Sequence, residues 1–343
     1  MANIFARSPY LIRIAESGQN GSKVELFISA TTFSVSPQYT LSKLIPASNN
    51  LETLYDISPY IREYIRFASC SAGGNAAVTN PTTERVNVRV KRYKLVGSTY
   101  TLLDTTDYIA FDGSTYYESG YNFDLGNYGL DAGNYYYNPT SDAGKIRVTT
   151  GASFTARYTN LSTAVVTSLA VASSTFDIPR VRTANVNEGN KVEILNGASA
   201  VQATWYFYPL EECKYTPVII DFVNKYGAWQ REFFFKASND TFSVENTEYN
   251  LLQTDSYNYN TLEGQRKVFN ANGKKSIKVN TGWVAESWSE ILKQIMLSER
   301  ILVDNKPAKI NSKSTELFKH INTKQINYSL DFEFAYDVIN SVI

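Results

Sequence analysis

Histidine and cysteine, on which nucleophilic catalysis and zinc binding most often depend, are almost missing from this sequence. Its 343 residues include one histidine, His320, and two cysteines, Cys70 and Cys213. A Ser-His-Asp or Cys-His arrangement would have to use His320, and no Gly-x-Ser-x-Gly turn supplies a nucleophilic serine. Zinc needs three or four His or Cys ligands, so a structural zinc site is excluded. We predict two buried, reduced thiols, and we assign no catalytic residue, metal or cofactor.

Carboxylates are abundant enough for another kind of chemistry. A glycosidase needs only two of them at a suitable separation, and the chain contains 33. Six occur in a tyrosine-rich part of the chain, a composition that could hold a sugar by stacking: Asp104, Asp107, Asp112, Glu118, Asp124 and Asp131. They lack the Asp-x-Asp-x-Asp-Gly spacing of a calcium loop. Because aspartate in Gly/Asn-rich turns usually bonds to the backbone, we favour a non-enzymatic protein and keep a polysaccharide depolymerase as an alternative.

Positive charge is not concentrated enough to indicate nucleic-acid packaging. Lysine plus arginine and aspartate plus glutamate both number 33, so the formal net charge is 33 − 33 = 0. The short basic runs at 91–94 and 274–278 are typical of solvated strand faces in a neutral chain. We expect nucleic acid only as DNA that passes through a channel. A net charge of zero also favours association between copies.

The segment 111–151 is the part of the sequence that most favours a functional role. It is rich in glycine and tyrosine and has no periodicity, and so long a loop in a compact domain is usually functional or disordered. Tyrosine argues against disorder, and it is enriched at interfaces because it offers a large, stiff, amphipathic surface. We predict contacts between subunits here, with glycan contact or a self-packed loop as alternatives. The subunit-interface candidates are Tyr116, Tyr117, Tyr121, Tyr128, Tyr135, Tyr136 and Tyr137.

Alternation of apolar and polar residues predicts a mainly β protein. The pattern recurs at 24–28, 86–91, 191–194 and 326–334. It sends one set of side chains inward and the other to water, as in antiparallel strands with one solvated face. Segment 214–236 predicts a hairpin, since Asn224 and Gly227 supply the positive φ angles that a tight reversal needs.

Helix is scarce. Ser58 and Pro59 predict a short helix, with Ser58 as its N-cap and Pro59 at the first helical position. An amphipathic helix is predicted at about 286–298, because four apolar residues from Trp288 to Ile295 follow the spacing of a single helical stripe. We expect this helix to pack across the sheet formed by the C-terminal strands.

Length and patterning together predict two β-sandwich-like domains of antiparallel strands, with one or two short helices and the long Tyr/Gly-rich loop. The N-terminal β-domain is expected to span 1–185, including the loop at about 111–151, and the C-terminal β-domain to span 186–343. We expect no secretory signal, because the first residues have no apolar core segment, and no apolar run is long enough to span a bilayer. We therefore expect no membrane partner and synthesis in the cytoplasm.

Several stretches of the sequence resemble segments that recur in one group of proteins. They are Arg-Ser-Pro-Tyr at 7–10, Tyr-Thr-Leu-Ser-Lys at 39–43, Ile-Ser-Pro-Tyr-Ile-Arg-Glu-Tyr-Ile at 57–65, Ala-Phe-Asp-Gly at 110–113 with 116–122, then 222–229 and the ending 288–336. Together they resemble the tail and ring structural proteins, at the head-to-tail collar, of crAss-like and related Bacteroidetes-infecting phages. The resemblance implies a subunit of a homo-oligomeric ring, dodecameric or sixfold, in a short tail.

The same resemblance implies neighbouring tail and collar proteins as partners, location in the virion tail and synthesis in the host cytoplasm. The group has no catalytic residues to transfer. A non-enzymatic virion structural protein is therefore the expected function. Ring closure requires two different patches on each subunit, and the tyrosine-rich loop could provide one. The alternative is a glycan- or receptor-binding tail-fibre or adhesin module, which clustered tyrosine and aspartate would suit.

Overall fold

The computed structural model describes residues 2–45, 52–67, 83–114, 120, 129, 135–150, 152–172, 174–251, 262, 264–312 and 325–337. They form several mostly antiparallel sheets with one well-formed helix, which confirms the predicted mainly β fold class. The chain divides into two compact units. The first comprises Met1–Glu211 and Phe222–Glu232, and the second comprises Glu212–Asp221 and Phe233–Ile343.

Five strands form the first sheet of the first unit: β1 (Ala2–Phe5), β3 (Gly21–Ser29), β4 (Tyr39–Leu44), β6 (Arg85–Val96) and β7 (Thr99–Phe111). Their order is β1-β7-β6-β3-β4, and the neighbours are antiparallel except for β1 with β7. The predicted alternation is confirmed here. Val24, Leu26 and Val88 are fully buried, so one face of the sheet forms a core.

A two-stranded sheet and a short helix cover that apolar face. They are β2 (Leu11–Ala15), β5 (Glu52–Asp56) and α1 (Ser58–Arg62), and apolar side chains from all three share one core cluster with the first sheet. The helix begins where it was predicted, but its N-cap is Ile57 and not Ser58. Asp56 takes over the capping role, because its Oδ1 accepts hydrogen bonds from the amide and the hydroxyl of Ser58 at 3.1 and 2.7 Å.

The second sheet of the first unit also has five strands: β8 (Tyr135–Tyr137), β10 (Phe154–Asn160), β11 (Val166–Val171), β13 (Asn190–Leu195) and β14 (Val201–Pro209). Their order is β11-β10-β13-β14-β8. A separate pair consists of β9 (Lys145–Thr150) and β12 (Ser174–Pro179). Because β10 pairs with β13, strands on both sides of residue 185 belong to one sheet, and the first compact unit includes both.

Regular structure also enters the segment 111–151 that was predicted to be a loop. Strands β8 and β9 both lie inside it, whereas 115–119, 121–128 and 130–134 are outside the described residues. The sequence pattern missed β8 because three residues are too few to establish a period. Strand β9 does alternate, since Ile146 and Val148 lie between Lys145, Arg147 and Thr149, but the run is short and follows directly on the glycine- and tyrosine-rich stretch, so the pattern did not distinguish it from the loop.

A seven-stranded sheet is assembled from the C-terminal strands: β15 (Val218–Val223), β16 (Trp229–Phe234), β17 (Asn239–Asn250), β18 (Arg266–Ala285), β19 (Ile301–Val303), β20 (Lys306–Ile310) and β21 (Gln325–Phe334). Its order is β16-β15-β19-β20-β21-β18-β17. The helix α2 (Ser289–Leu297) lies where the apolar stripe predicted it. Trp288, just before α2, packs edge-on against Phe234 of β16 with ring centroids 5.8 Å apart.

The predicted hairpin is confirmed in β15 and β16, but only Gly227 has the predicted positive φ, and Asn224 stabilises the turn through its side chain instead. The side-chain Oδ1 of Asn224 accepts hydrogen bonds from the amides of Tyr226 and Ala228 at 3.0 and 3.1 Å. Gly227 has φ +77°, a conformation that residues with a Cβ rarely adopt. A Cβ at this position would also lie 2.7 Å from the backbone of Asp112.

Replacing Gly227 with alanine is expected to lower the free energy of unfolding by about 2–5 kcal/mol, since the strained φ and the collision with Asp112 both oppose folding. Gly97→Ala is the matched control, because Gly97 also has positive φ but no atom lies within 4 Å of its would-be Cβ. It should cost only about 1 kcal/mol. Urea denaturation measures both variants, and equal losses would refute the role of the close approach.

Candidate assembly surface

Three of the seven predicted interface tyrosines lie in the described part of the chain, and they differ in burial. Tyr116, Tyr117, Tyr121 and Tyr128 lie outside the described residues. The other three form β8, which pairs in parallel with β14. Because side chains alternate along a strand, Tyr135 and Tyr137 are buried, whereas Tyr136 is 51% exposed.

The two buried tyrosines stabilise their own sheet. Tyr135 stacks on Phe207 with ring centroids 5.4 Å apart, and the guanidinium of Arg180 lies 4.4 Å from the centre of its ring. The Tyr137 hydroxyl donates a hydrogen bond to the carbonyl of Val186 at 2.7 Å, and burial raises the pKa of that hydroxyl. These side chains are therefore occupied within one chain.

Tyr136 is the described member of the set whose ring is open to contact. It lies beside Tyr208, with ring centroids 5.8 Å apart, and Tyr208 stacks on Tyr206 at 6.3 Å. The period of two in Tyr-Tyr-Tyr would have separated the outward ring from the inward ones, once the segment was known to be a strand.

A second group of aromatic residues surrounds α1. Tyr39 contacts Tyr60 and Tyr64 with ring centroids 4.8 and 6.2 Å apart, and its hydroxyl donates a 2.6 Å hydrogen bond to Glu63. That bond raises the pKa of Tyr39. A shallow depression lined by Glu63, Tyr64 and Arg66 lies next to these rings.

The acidic residues considered for sugar chemistry are held by arginines where the structure describes them. Asp104 binds Arg92 in a close ion pair, Asp107 binds Arg89 at 2.8 Å, and Asp112 binds both Arg7 and Arg62 at 2.9 and 3.1 Å. The bond from Arg89 lowers the pKa of Asp107. Glu118, Asp124 and Asp131 lie outside the described residues.

A buried ionic network centred on Arg147 holds several segments of the first unit together. The guanidinium forms a short ion pair with Glu84, binds Asp177 at 2.8 and 3.0 Å and donates to the carbonyl of Gly227 at 3.3 Å. Burial lowers the pKa of Arg147, but the two carboxylates raise it further than burial lowers it. The network thus joins β9, β12, the hairpin turn and the residue before β6.

Two cationic side chains stabilise the ionised carboxylate of Glu193 in the second sheet. It lies 2.9 Å from Arg157 and 2.7 Å from Lys191 and is 5% exposed. Burial raises the pKa of Glu193, but the bonds to Lys191 and Arg157 outweigh it, so the pKa lies below its ordinary value. A lowered folded-state pKa gives stability at neutral pH that is lost as the pH falls through that pKa.

Glu193→Gln is therefore expected to lower the free energy of unfolding by about 1.5–3 kcal/mol near neutral pH. The difference from the wild type should shrink near pH 3, where the wild-type carboxylate also becomes protonated. Urea denaturation at the two pH values checks this. A difference that stays constant with pH would contradict it.

The most exposed regular structure is a two-stranded ribbon at the edge of the seven-stranded sheet. Strand β18 pairs with β21 only from Ser276 onward, whereas its pairing with β17 reaches back to Arg266. Segments 242–250 and 266–275 therefore pair only with each other among the described strands, and we call them the ribbon. At about 3.4 Å per residue, the ribbon is roughly 30 Å long.

Large apolar side chains lie on the ribbon without cover from the rest of the described chain. Five of them are 45–60% exposed: Phe242, Val244, Tyr249, Val268 and Phe269. All twelve residues of β17 are exposed. An isolated two-stranded hairpin is marginally stable in water, and clustered exposed apolar groups mark interaction sites. The ribbon therefore has the properties of a surface that is buried in an assembly.

Four of the eight charged residues of β17 and β18 form ion pairs between these two strands. Lys274 binds Glu245 at 2.7 Å and Lys275 binds Asp240 at 2.8 Å, and the bond from Glu245 raises the pKa of Lys274. Sequence reasoning assigned Lys274 and Lys275 to a solvated strand face but missed the ribbon. Phe242 and Val244 alternate with Ser243 and Glu245, and this alternation predicts a strand. It does not show whether the apolar face of the strand is covered, because a core-facing strand has the same pattern.

The remaining reactive residues form no constellation in the described part of the chain. Cys213 is exposed, which corrects the expectation of a buried thiol, and Cys70 and His320 are outside the described residues. No three metal-ligating side chains converge there. No described helix combines the length and the apolar character that crossing a membrane would require.

Comparison with known proteins adds no relative: no protein-family model matches the sequence, and no curated protein matches it. The functional argument therefore depends on the residues themselves.

Proposed function

We propose that this protein is a non-enzymatic virion structural protein, a subunit of a homo-oligomeric ring in the short tail or head-to-tail region of a phage. The exposed ribbon is the observation that carries the assembly part of the proposal. The phage part rests on the resemblance of 7–10, 57–65 and 222–229 to tail and ring proteins of crAss-like phages. Copies of the same chain and neighbouring tail and collar proteins are its partners, in the virion.

The size of the ribbon supports a stable contact. It is roughly 30 Å long, and two strands about 4.8 Å apart make it about 10 Å wide with side chains, so its two faces together offer roughly 600 Å². A standard interface covers about 800 Å² on each partner. A ribbon inserted against a neighbour supplies most of that area, and the rest comes from strand edges or from surfaces such as Tyr136 and Tyr208.

The net charge of zero removes general repulsion between copies. The ion pairs within the ribbon strands reduce the desolvation cost of burying Lys274 and Lys275, because each cation keeps its partner. If the ring lines the channel, DNA contacts it only while passing through.

Native mass spectrometry and negative-stain imaging of the purified full chain test this function. We expect a closed ring, of twelve or six copies, at micromolar concentration. A protein that stays monomeric in solution and is missing from purified particles would overturn the proposal.

A glycan- or receptor-binding module is the second candidate, and the Tyr39 cluster is the observation that favours it. Aromatic rings beside a carboxylate and a guanidinium, here Glu63 and Arg66, can stack on and hydrogen-bond to a sugar ring. Binding of host polysaccharide that is lost in Tyr64→Ala would support this candidate, and no binding to any host polysaccharide would reject it.

A further inference from the structure

The five-stranded sheet that contains β8 ends in an open edge at β11. Among the described strands, β11 pairs only with β10. Its register with β10 is continuous over six residue pairs, from Thr159 with Val166 to Phe154 with Val171. Val166, the first residue of the strand, and Val165 just before it are 53% and 59% exposed. Within the described part of the chain, no other strand occupies the outer backbone groups of β11.

The sequence of β11 lacks the features that keep edge strands of soluble monomers apart. Edges are normally protected by charged side chains, proline, bulges or very short strands. No Lys, Arg, Asp, Glu or Pro occurs from Tyr158 to Phe176, and no register shift interrupts the pairing with β10. An unprotected edge of this kind is expected to pair with a strand from another chain.

A second open edge occurs on the other unit of the same chain. Strand β17 is the last strand of the seven-stranded sheet and pairs only with β18 among the described strands. It is twelve residues long, so the six residues of β11 fit within it. Two of the three acidic residues of β17, Asp240 and Glu245, are paired with lysines of β18, which lowers the cost of desolvating them beside an uncharged strand.

We propose that β11 of one copy pairs through its backbone with β17 of the next copy, so that one sheet continues into the other across the subunit interface. This inference rests on the proposed ring. A second copy is the committed partner because β11 and β17, two of the edge strands in the described part of the chain, differ from each other, and a ring needs two different patches on every subunit. The same contact buries Val166 of β11, the preceding Val165 and the exposed Phe242 and Val244 of β17.

Hydrogen–deuterium exchange of the full chain, above and below its assembly concentration, tests the pairing directly. We expect amides in β11 and in β17 to become protected together on assembly, because both strands then donate hydrogen bonds to each other. Assembly with protection of β11 alone, or of neither strand, would overturn the pairing while leaving the ring intact. The first result would indicate that β11 pairs with β11, or with another segment. A chain that never assembles would overturn the ring itself.

Charge placed on the edge provides an independent test. The double variant Thr167→Lys and Ser168→Lys should raise the concentration needed for assembly by about tenfold or more. Thr204→Lys is the matched control, because Thr204 is an exposed strand residue of the same sheet but lies on β14, between two other strands. Assembly of the double variant at the control's concentration would overturn the pairing. Circular dichroism verifies that both variants keep their β-structure.

Discussion

Replacing Arg147 with methionine is expected to lower the free energy of unfolding of the first unit by about 3–5 kcal/mol, because one partner of a buried ion pair is removed while the others stay buried. Its side chain is 2% exposed, and those of Glu84 and Asp177 are 8% and 17% exposed. Without the guanidinium, two carboxylates face each other with little water to solvate them. The carbonyl of Gly227 loses its donor as well.

Arg92→Met is the control for this experiment. Arg92 also binds an aspartate, Asp104, but the two side chains are 35% and 38% exposed, and exposed pairs of this kind contribute about 0–1 kcal/mol. Urea denaturation followed by tryptophan fluorescence compares the two variants. Adding Glu84→Gln and Asp177→Asn to Arg147→Met should recover part of the loss, since neutral amides need less solvation. Equal losses for Arg147→Met and Arg92→Met would contradict the network.

Changing Phe242 and Phe269 together to serine is expected to weaken self-association by roughly thirtyfold. Full burial of a phenylalanine is worth about 1.5–3 kcal/mol, and each ring already has about half of its surface covered. The two rings together therefore contribute about 2 kcal/mol to each contact, which corresponds to that factor. Sedimentation velocity over a concentration series measures the change.

The unfolding free energy should change little in this double variant, because both rings lie on the outer ribbon. Leu44→Ser with Val96→Ser is the matched control: these apolar side chains of the first unit are 72% and 48% exposed but lie off the ribbon. Assembly should persist in the control. If the phenylalanine variant assembled at the same concentration as the control, the ribbon would have no part in the interface.

Local patterning predicted much of the fold, and the reason is visible in particular residues. Val24 and Leu26 alternate with polar neighbours because β3 has one solvated face. The period of two can therefore be recognised from residues that are adjacent in the sequence. The turn at Asn224–Gly227 and the stripe of α2 are local for the same reason. Ser58 was misassigned as the N-cap of α1 because its residue type favours that position, whereas the structure has Ile57 there and Asp56 accepts the hydrogen bonds of Ser58.

Long-range contacts of the fold, and the exposure of the ribbon, could not be predicted from the sequence. Arg147 and Glu84 are 63 residues apart, and nothing local pairs one acidic residue rather than another with a given arginine. Phe242 and Val244 alternate with polar residues as a core-facing strand would. Whether such a face is covered depends on which strands lie beside it, and sheet order is a long-range property.

Because the chain enters the first unit again at the hairpin of β15 and β16, cutting the polypeptide at one place cannot separate the two units. The turn end of this hairpin, 222–232, belongs to the first unit, while the chain before and after it belongs to the second. A fragment that stops at Glu211 would lack the carbonyl of Gly227 that Arg147 binds and the close approach of Gly227 to Asp112. A protease that cuts the chain after Glu211 should therefore leave two pieces held together by the contacts of 222–232 with the rest of the first unit. Truncation after Glu211 should yield an incompletely folded product.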